Sequence, residues 1–330
     1  MADKVTFLCR PASYRERPAR VETVETHMSW VFLTDRHAFK LKKPVRYAFL
    51  DFSTLAARHR SCREEIRLNR RLARSVYLGT VPLTLTPAGR LRLGGHGRVV
   101  DWLVKMRRLP AERMLDRVLA GGGAAAGDLP RLADFLAAFY RRAPTVRLGG
   151  ARYRAMLATD IADNARELTR PPHGLERRRV AKLAAALDDF LGREAALFDA
   201  RAVERRIVEG HGDLRPEHIC LGPPLAVIDC LEFNRAFRLV DPIDELSFLA
   251  LECEHLGAEE AGRAILDGYF RKSGDGADKR LIAFHMSRRA LLRAKLALWH
   301  LADRRRDAEG WRRRALAYLR LAELHAARLG

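Results

Sequence analysis

The stretch His211–Asp229 reads HGDLRPEHICLGPPLAVID, and the rest of the chain is best read outward from it. Asp213 follows His211-Gly212 in a turn, and His218, a side chain with ligating chemistry, comes five residues later. A short apolar run, Leu225 to Ile228, then ends on a second aspartate, Asp229. A loop followed by a strand places two carboxylates on either side of one cleft. Alone, an aspartate after glycine is equally a turn-forming residue. The second aspartate at a strand end gives the pair its weight.

Phosphoryl transfer needs such parts. One carboxylate orients the acceptor hydroxyl and takes its proton, and a second carboxylate with a further ligand holds the metal ions that bridge the phosphates. HGDLRPEH resembles the catalytic loop of protein-kinase-like enzymes, H-R-D-L-x-x-x-N, in the HGD form of the aminoglycoside phosphotransferase and choline kinase branch. IDCLEFN (Ile228–Asn234) resembles that branch's metal-binding segment. VFLTDRHAFKLKKPV (Val31–Val45) and EEIRLNRRLA (Glu64–Ala73) resemble a bacterial group known as aminoglycoside phosphotransferase family enzymes. The likeness runs from about Val21 to Ala302.

The resemblance implies an α+β, protein-kinase-like two-lobed fold. A small antiparallel β lobe, residues 1–105, would bind nucleotide, and a larger helical lobe, 106–330, would carry the catalytic loop and bind the acceptor. It also implies roles. Asp213 is the expected base. Arg215 stands where many protein kinases place a lysine facing the transferring phosphoryl, and its guanidinium fork suits phosphate oxygens. His211 braces the loop. Asp229 is the main metal ligand. His218 replaces the usual asparagine, which turns the expectation from Mg²⁺ toward Mn²⁺, because imidazole suits borderline metals. Lys40, in Ala38-Phe39-Lys40, is matched to the lysine that meets the α/β-phosphates of ATP, and Lys42 lies on the same strand face as its alternate. Glu65 is the expected clamp on that lysine, with Glu64 as alternate. Asp101 to Met106 falls where the hinge belongs. Lys105 and Met106 are assigned there to the adenine, through main chain and a soft lining side chain. Thr26 to Ser29 stands in place of a glycine-rich loop, so main-chain N–H and hydroxyl groups would cover the phosphates.

Local patterns agree with this order. Val21 to Thr26 alternates as a half-buried strand does, and strands are expected at Trp30–Thr34, Ala38–Val45, Val81–Thr86 and Val99–Met106. Gly94 to Gly97 is a glycine-rich turn, and GGGAAAG (Gly121–Gly127) is a flexible loop. A helix capped by Ser53 or Thr54 should run to Ala73. Helices are expected at Ala111–Ala120, Leu129–Arg142, Tyr153–Leu168, Leu175–Leu197, Pro242–Leu256, Glu259–Phe270, Lys279–Ala302 and Gly310–Arg328, with a break at Pro171-Pro172.

The chain has 330 residues, 48% of them hydrophobic, enough for a buried core. No apolar run approaches the roughly 18 residues that span a bilayer. The start, MADKVTFLCRPASYRER, carries no long apolar signal region. Five scattered cysteines without a CxxC pair indicate reduced thiols, and with them a cytoplasmic protein. The net charge of +20 supports a nucleic-acid-binding alternative, but mostly reflects arginine on helix faces. No GxxxxGK[ST] motif occurs, so the P-loop kinase module fused to some members of the group is not in this sequence. Asp241, Asp244, Glu245, Glu252 and Glu254 form an acidic cluster. Helix capping and the helix dipole account for the first three, and the cluster also keeps an amine-bearing acceptor open. The expected activity is transfer of the γ-phosphoryl of ATP, with Mg²⁺ or Mn²⁺, to a hydroxyl of a small molecule. The rival is a nucleotide-binding regulator without turnover.

Overall fold

In the computed structural model, which describes residues 1–47, 49–171, 174–302 and 307–330, the chain divides into two compact units. The first is Met1–Arg117 with Glu217–Phe237, and the second is Val118–Pro216 with Arg238–Gly330. The first unit thus runs past the expected limit of 105 and takes in the segment that carries His218 and Asp229. Of the expected break at Pro171-Pro172, Pro172 lies outside the described residues. Among those residues no helix is long and apolar enough to cross a membrane.

The first unit holds helix α1 (Ala2–Leu8), strands β1 (Glu22–Glu25), β2 (Ser29–Leu33), β3 (His37–Lys42), β4 (Arg46–Tyr47) and β5 (Leu50–Asp51), helix α2 (Leu55–Asn69), and strands β6 (Tyr77–Leu85), β7 (Leu91–Leu93) and β8 (Arg98–Arg107). Six of the strands form one antiparallel sheet in the order β1-β2-β3-β8-β6-β7, and β4 pairs with β5. Strand alternation sorts β3 between two cores. Phe39 and Leu41 face Leu8, Tyr14 and Phe32. Ala38 faces Cys62 and Ile66 of α2, with Val104 and Met106 of β8. Lys40 and Lys42 share Ala38's parity, so β3 presents both lysines on the α2 face.

Thr54 caps α2, its hydroxyl accepting the N–H of Ala57 at 3.1 Å. Cys62, Glu65, Ile66 and Asn69 fall at helical spacing on the buried face of α2. Two polar side chains one turn apart on that face need partners, and both find them in the site. The later hairpin Ile219–Cys220 with Ala226–Val227 completes the unit and sends Ile228 and Asp229 beyond its second strand.

Helix α3 (Leu115–Ala120) carries the chain onward. The helix expected from Ala111 is interrupted: Ala111–Arg113 is a 3₁₀ turn, and Met114 is extended and bridges to Cys220. The second unit is built from α4 (Asp128–Arg142), α5 (Gly150–Leu168), α6 (Arg177–Arg193), α7 (Ala195–Val203), α8 (Pro242–His255), α9 (Glu259–Ser273), α10 (Lys279–Ala302) and α11 (Ala308–Ala326). The single helix expected over Leu175–Leu197 is two, parted where Glu194 leaves helical geometry. Phe190, Phe198 and Phe284 pack ring on ring in the core, with the Phe198 and Phe284 centroids 4.9 Å apart. Two short strands, Val208–Glu209 and Leu239–Val240, pair antiparallel on either side of the HGD loop in sequence.

Candidate functional site

In the first unit four of the expected residues meet. Lys40 Nζ lies 2.5 Å from Asp229 Oδ1 and 3.1 Å from Glu65 Oε1. His218 Nε2 lies 3.7 Å from Asp229 Oδ2. Glu64, the alternate clamp, instead pairs on the surface with Arg67 at 2.6 Å. Lys42 takes the other oxygen of Glu65 at 2.6 Å and also pairs with Glu232. Lys40 keeps 14% of its side-chain surface exposed against 1% for Lys42, so Lys40 is the lysine open to a ligand.

These charges hold one another in place. Burial opposes the charge on Lys40, but Asp229 and Glu65 outweigh it and lift its pKa well above the ordinary lysine range. Burial likewise opposes ionisation of Asp229. Lys40 and His218 overcome that and hold the carboxyl well below the usual range. Asp229 is thus held as an anion, with 44% of its side chain exposed.

The backbone at Asp229 is strained. Its φ is 64°, in the left-handed region that a non-glycine residue enters at a cost of about 1–3 kcal/mol. Three groups hold it there. Tyr77 Oη accepts the Asp229 N–H at 3.1 Å, and Asn69 Oδ1 accepts the Cys230 N–H at 2.9 Å. The Ile228 N–H donates to the His218 carbonyl at 2.9 Å, which ties the two candidate ligands together through main chain. Asn69 in turn donates to the Glu65 carbonyl at 2.8 Å, so α2 positions both the clamp and the turn.

Among the described residues no group of three or more His, Cys, Asp or Glu side chains could hold a metal ion. The two expected ligands, Asp229 and His218, lie 3.7 Å apart. A metal held by such a pair would leave its remaining positions to water and phosphate oxygens.

One expectation is corrected. Lys105 and Met106 do not lie at a free hinge. Strand β8 runs on to Arg107 between β3 and β6, and residues 105 and 106 pair with Phe39 and Ala38 on one side and Gly79 and Tyr77 on the other. The Lys105 ammonium sits over the Phe39 ring, 5.7 Å from its centroid, on the face opposite Lys40. Met106 is buried on the Lys40 face, against Ala38 and Val104. Main-chain groups beyond the sheet begin at Arg108. The turn that stands in place of a glycine-rich loop joins β1 to β2. Thr26 Oγ1 accepts the Ser29 N–H at 3.0 Å and donates to the Ser29 carbonyl at 3.1 Å, closing a tight hairpin.

The second unit carries Asp213 and Arg215, with Arg215 Nε 3.0 Å from Asp213 Oδ1. His211 is fully buried, and its Nδ1 accepts the Asp213 N–H at 3.2 Å, a bracing contact. The loop rests on Glu245, a role beyond the helix-dipole one expected of it. Glu245 Oε2 accepts the His211 N–H at 3.0 Å and the Tyr140 hydroxyl at 2.9 Å, and Glu245 Oε1 accepts the Gly212 N–H. Burial pushes its pKa up, partly offset by these donors. Gly210 permits the approach: a Cβ there would lie 2.4 Å from Glu245 Oε2. Gly212 has φ 93°, a conformation glycine adopts freely.

The other acids of the cluster are spent internally. Asp241 caps α8 and pairs with Arg201 at 2.7 Å; Asp244 meets Arg288 at 2.6 Å and Arg289 at 2.7 Å. Glu252 pairs with Arg293 at 3.0 Å and Glu254 with His325 at 2.7 Å. The cluster is a structural ion-pair system, which removes the argument it gave for an amine-bearing acceptor.

An antiparallel sheet with one long helix, joined to a larger helical part, is a mixed α+β architecture of the two-lobed protein-kinase-like type. It is the fold of the choline/ethanolamine kinases and aminoglycoside phosphotransferases. A choline/ethanolamine kinase family protein from Mesorhizobium loti superposes with a TM-score of 0.53 at 16% identity, over 99% of this chain and 98% of that one. A choline kinase from Streptococcus pneumoniae gives 0.55 at 13% identity, over 92% and 94%. An aminoglycoside phosphotransferase from Streptomyces rimosus gives 0.51 at 18% identity, over 88% and 99%. No protein-family model matches the chain. In sequence it is 36% identical over 285 residues to proteins of Mycobacterium tuberculosis and Mycobacterium bovis described as uncharacterized, covering 84% of this chain and 54% of theirs. The chain spans about half the length of these curated relatives.

Proposed function

We propose that the chain is an ATP-dependent phosphotransferase that moves the γ-phosphoryl group to a hydroxyl of a small molecule. The observation that carries this reading is the Lys40–Glu65–Asp229 constellation, with Asp229 held in a strained turn by Tyr77 and Asn69. A structural ion pair needs no such backbone. Backbone strain of this kind clusters at functional sites.

Lys40, steadied by Glu65, meets phosphate oxygens and neutralises their charge. Asp229 and His218 would hold a divalent metal, which would supply charge stabilisation to the phosphates. Asp213 takes the proton of the acceptor hydroxyl, on a loop fixed by His211 and Glu245. Arg215, beside Asp213, offers its fork to the transferring group. The Streptomyces rimosus aminoglycoside phosphotransferase, solved with ADP and streptomycin, supports the nucleotide assignment by its shared fold, at a TM-score of 0.51.

His218 in the position of the usual asparagine favours the rival of a nucleotide-binding regulator without turnover. One experiment tests both: purified protein with ATP and Mg²⁺ or Mn²⁺, screened against hydroxyl-bearing small molecules by ATP consumption. Acceptor-dependent turnover supports the proposal. Nucleotide binding with no turnover against a broad acceptor panel would favour the regulator.

A further inference from the structure

Lys42 and Glu232 have no part in the mechanism above, yet they are among the most deeply buried charges in the first unit. Their side chains are 1% and 7% exposed, and the Glu65 side chain between the two lysines is fully buried. Burying such charges costs several kcal/mol per ion unless geometry and further hydrogen bonds compensate. Here ion pairs supply most of the compensation, while Glu65 Oε1 makes no hydrogen bond and meets Lys40 only as an ion pair. Glu65 gives one oxygen to each lysine, Oε1 to Lys40 and Oε2 to Lys42. Glu232 pairs with Lys42 and accepts the Ser61 hydroxyl at 3.1 Å. The Lys42 ammonium also stands 5.1 Å from the Phe52 ring centroid.

A single lysine–glutamate pair would suffice to steady Lys40. With Lys42 alone added, two ammonium groups would compete for one carboxylate. Glu232 balances that charge and leaves Glu65 Oε1 to Lys40. It lies three residues after Asp229, while Ser61 and Glu65 are one turn apart on α2. The chain Ser61–Glu232–Lys42–Glu65–Lys40–Asp229 thus closes on itself through the turn that carries Asp229. We propose that Lys42 and Glu232 are a positioning couple for the phosphate site: together they set Glu65 and tie α2 to the Asp229 segment, so that Lys40 is correctly placed for nucleotide. This rests on the functional reading above, and neither residue touches the reacting atoms.

The couple makes a charge-balance prediction that a merely structural pair does not. Lys42→Met leaves Glu65 and Glu232 to share Lys40 and draws Lys40 from Asp229. Its affinity for ATP with Mn²⁺, measured by calorimetry, should fall about tenfold or more, while Lys42→Met/Glu232→Gln, which restores the balance, should recover most of the loss. Lys43→Met should bind like wild type, since Lys43 pairs outside the site with Glu25 at 2.6 Å. Should Lys42→Met not fold, Glu232→Gln serves in its place, with folding retained and nucleotide affinity reduced several-fold. Amide exchange without nucleotide gives an independent reading: Glu232→Gln should loosen α2 around Ser61–Asn69. Unchanged exchange there, wild-type affinity in both single variants, or a double variant no better than Lys42→Met would overturn the couple. Absence of nucleotide binding by the wild type would instead overturn the functional reading.

Discussion

Glu245→Gln should destabilise the protein despite preserving size and shape. Glu245 uses both oxygens: Oε2 for the His211 N–H and the Tyr140 hydroxyl, Oε1 for the Gly212 N–H. A glutamine has one acceptor oxygen. If it serves His211 and Tyr140, its NH₂ group faces the Gly212 N–H, donor against donor. The loss is one buried charge-assisted hydrogen bond and an unsatisfied N–H, about 1–3 kcal/mol. For a domain of this size that is a fall in melting temperature of roughly 3–10 °C. Glu245→Ala, which orphans all three donors, should fall further. The loop carrying Asp213 should loosen as well, which amide exchange at His211 and Gly212 reads directly, and turnover should drop with nucleotide affinity retained. If Glu245→Gln melts like the wild type and protects those amides equally, Glu245 does not hold the loop.

Three further outcomes follow from the same geometry. Asp213→Asn keeps the shape of the base and removes its proton acceptor, so turnover should fall roughly 10²–10⁴-fold while ATP affinity stays near wild type; an active variant would show the loop misassigned. His218→Asn should move metal preference from Mn²⁺ toward Mg²⁺ in turnover assays, because an amide oxygen replaces an imidazole nitrogen; an unchanged preference would leave His218 a packing residue. His285 is buried and its pKa is pressed down to about 3, so native protein excludes a proton that the unfolded chain accepts near pH 6.5. Its contribution is full above that value and is lost as pH falls toward 3, at up to about 1.4 kcal/mol per pH unit; denaturation from pH 7 to 4 should show a shallower decline for His285→Gln.

Much of the fold lay open in local pattern. Strands were legible at Val21–Thr26 and Ala38–Val45, although β1 is mostly exposed rather than half-buried and β3 stops at Lys42; parity put Lys40 and Lys42 on one face, where both are found. Spacing to Leu72 favoured Glu65 over Glu64, and the structure turns Glu65 inward on a buried face with Cys62, Ile66 and Asn69. What stayed hidden was polar pairing across long separations. Tyr77 is 152 residues from Asp229, Asn69 is 161 from Cys230, and Glu232 is 190 from Lys42. No periodicity announces such partners. The strand Val99–Met106 was legible to within a residue at each end, but not that its last residues pair on both sides and leave no hinge at 105 and 106: pairing with His37 and a bond from the Arg107 N–H to Val76 carry it to Arg107. The acidic cluster looked available because its arginines, Arg201, Arg288, Arg289 and Arg293, come from other helices.

The central claim is that Lys40 and Asp229 frame a nucleotide-phosphate site, and thermal melting with and without ATP and Mn²⁺ tests it most directly. A ligand present at about 100 times its dissociation constant stabilises the native state by about 2.7 kcal/mol. Wild-type protein should therefore melt several degrees higher with ATP and metal together, and Lys40→Ala and Asp229→Asn should each lose most of that shift. A wild-type melting temperature that does not move at millimolar ATP with metal, or a shift that survives both substitutions, would contradict the account.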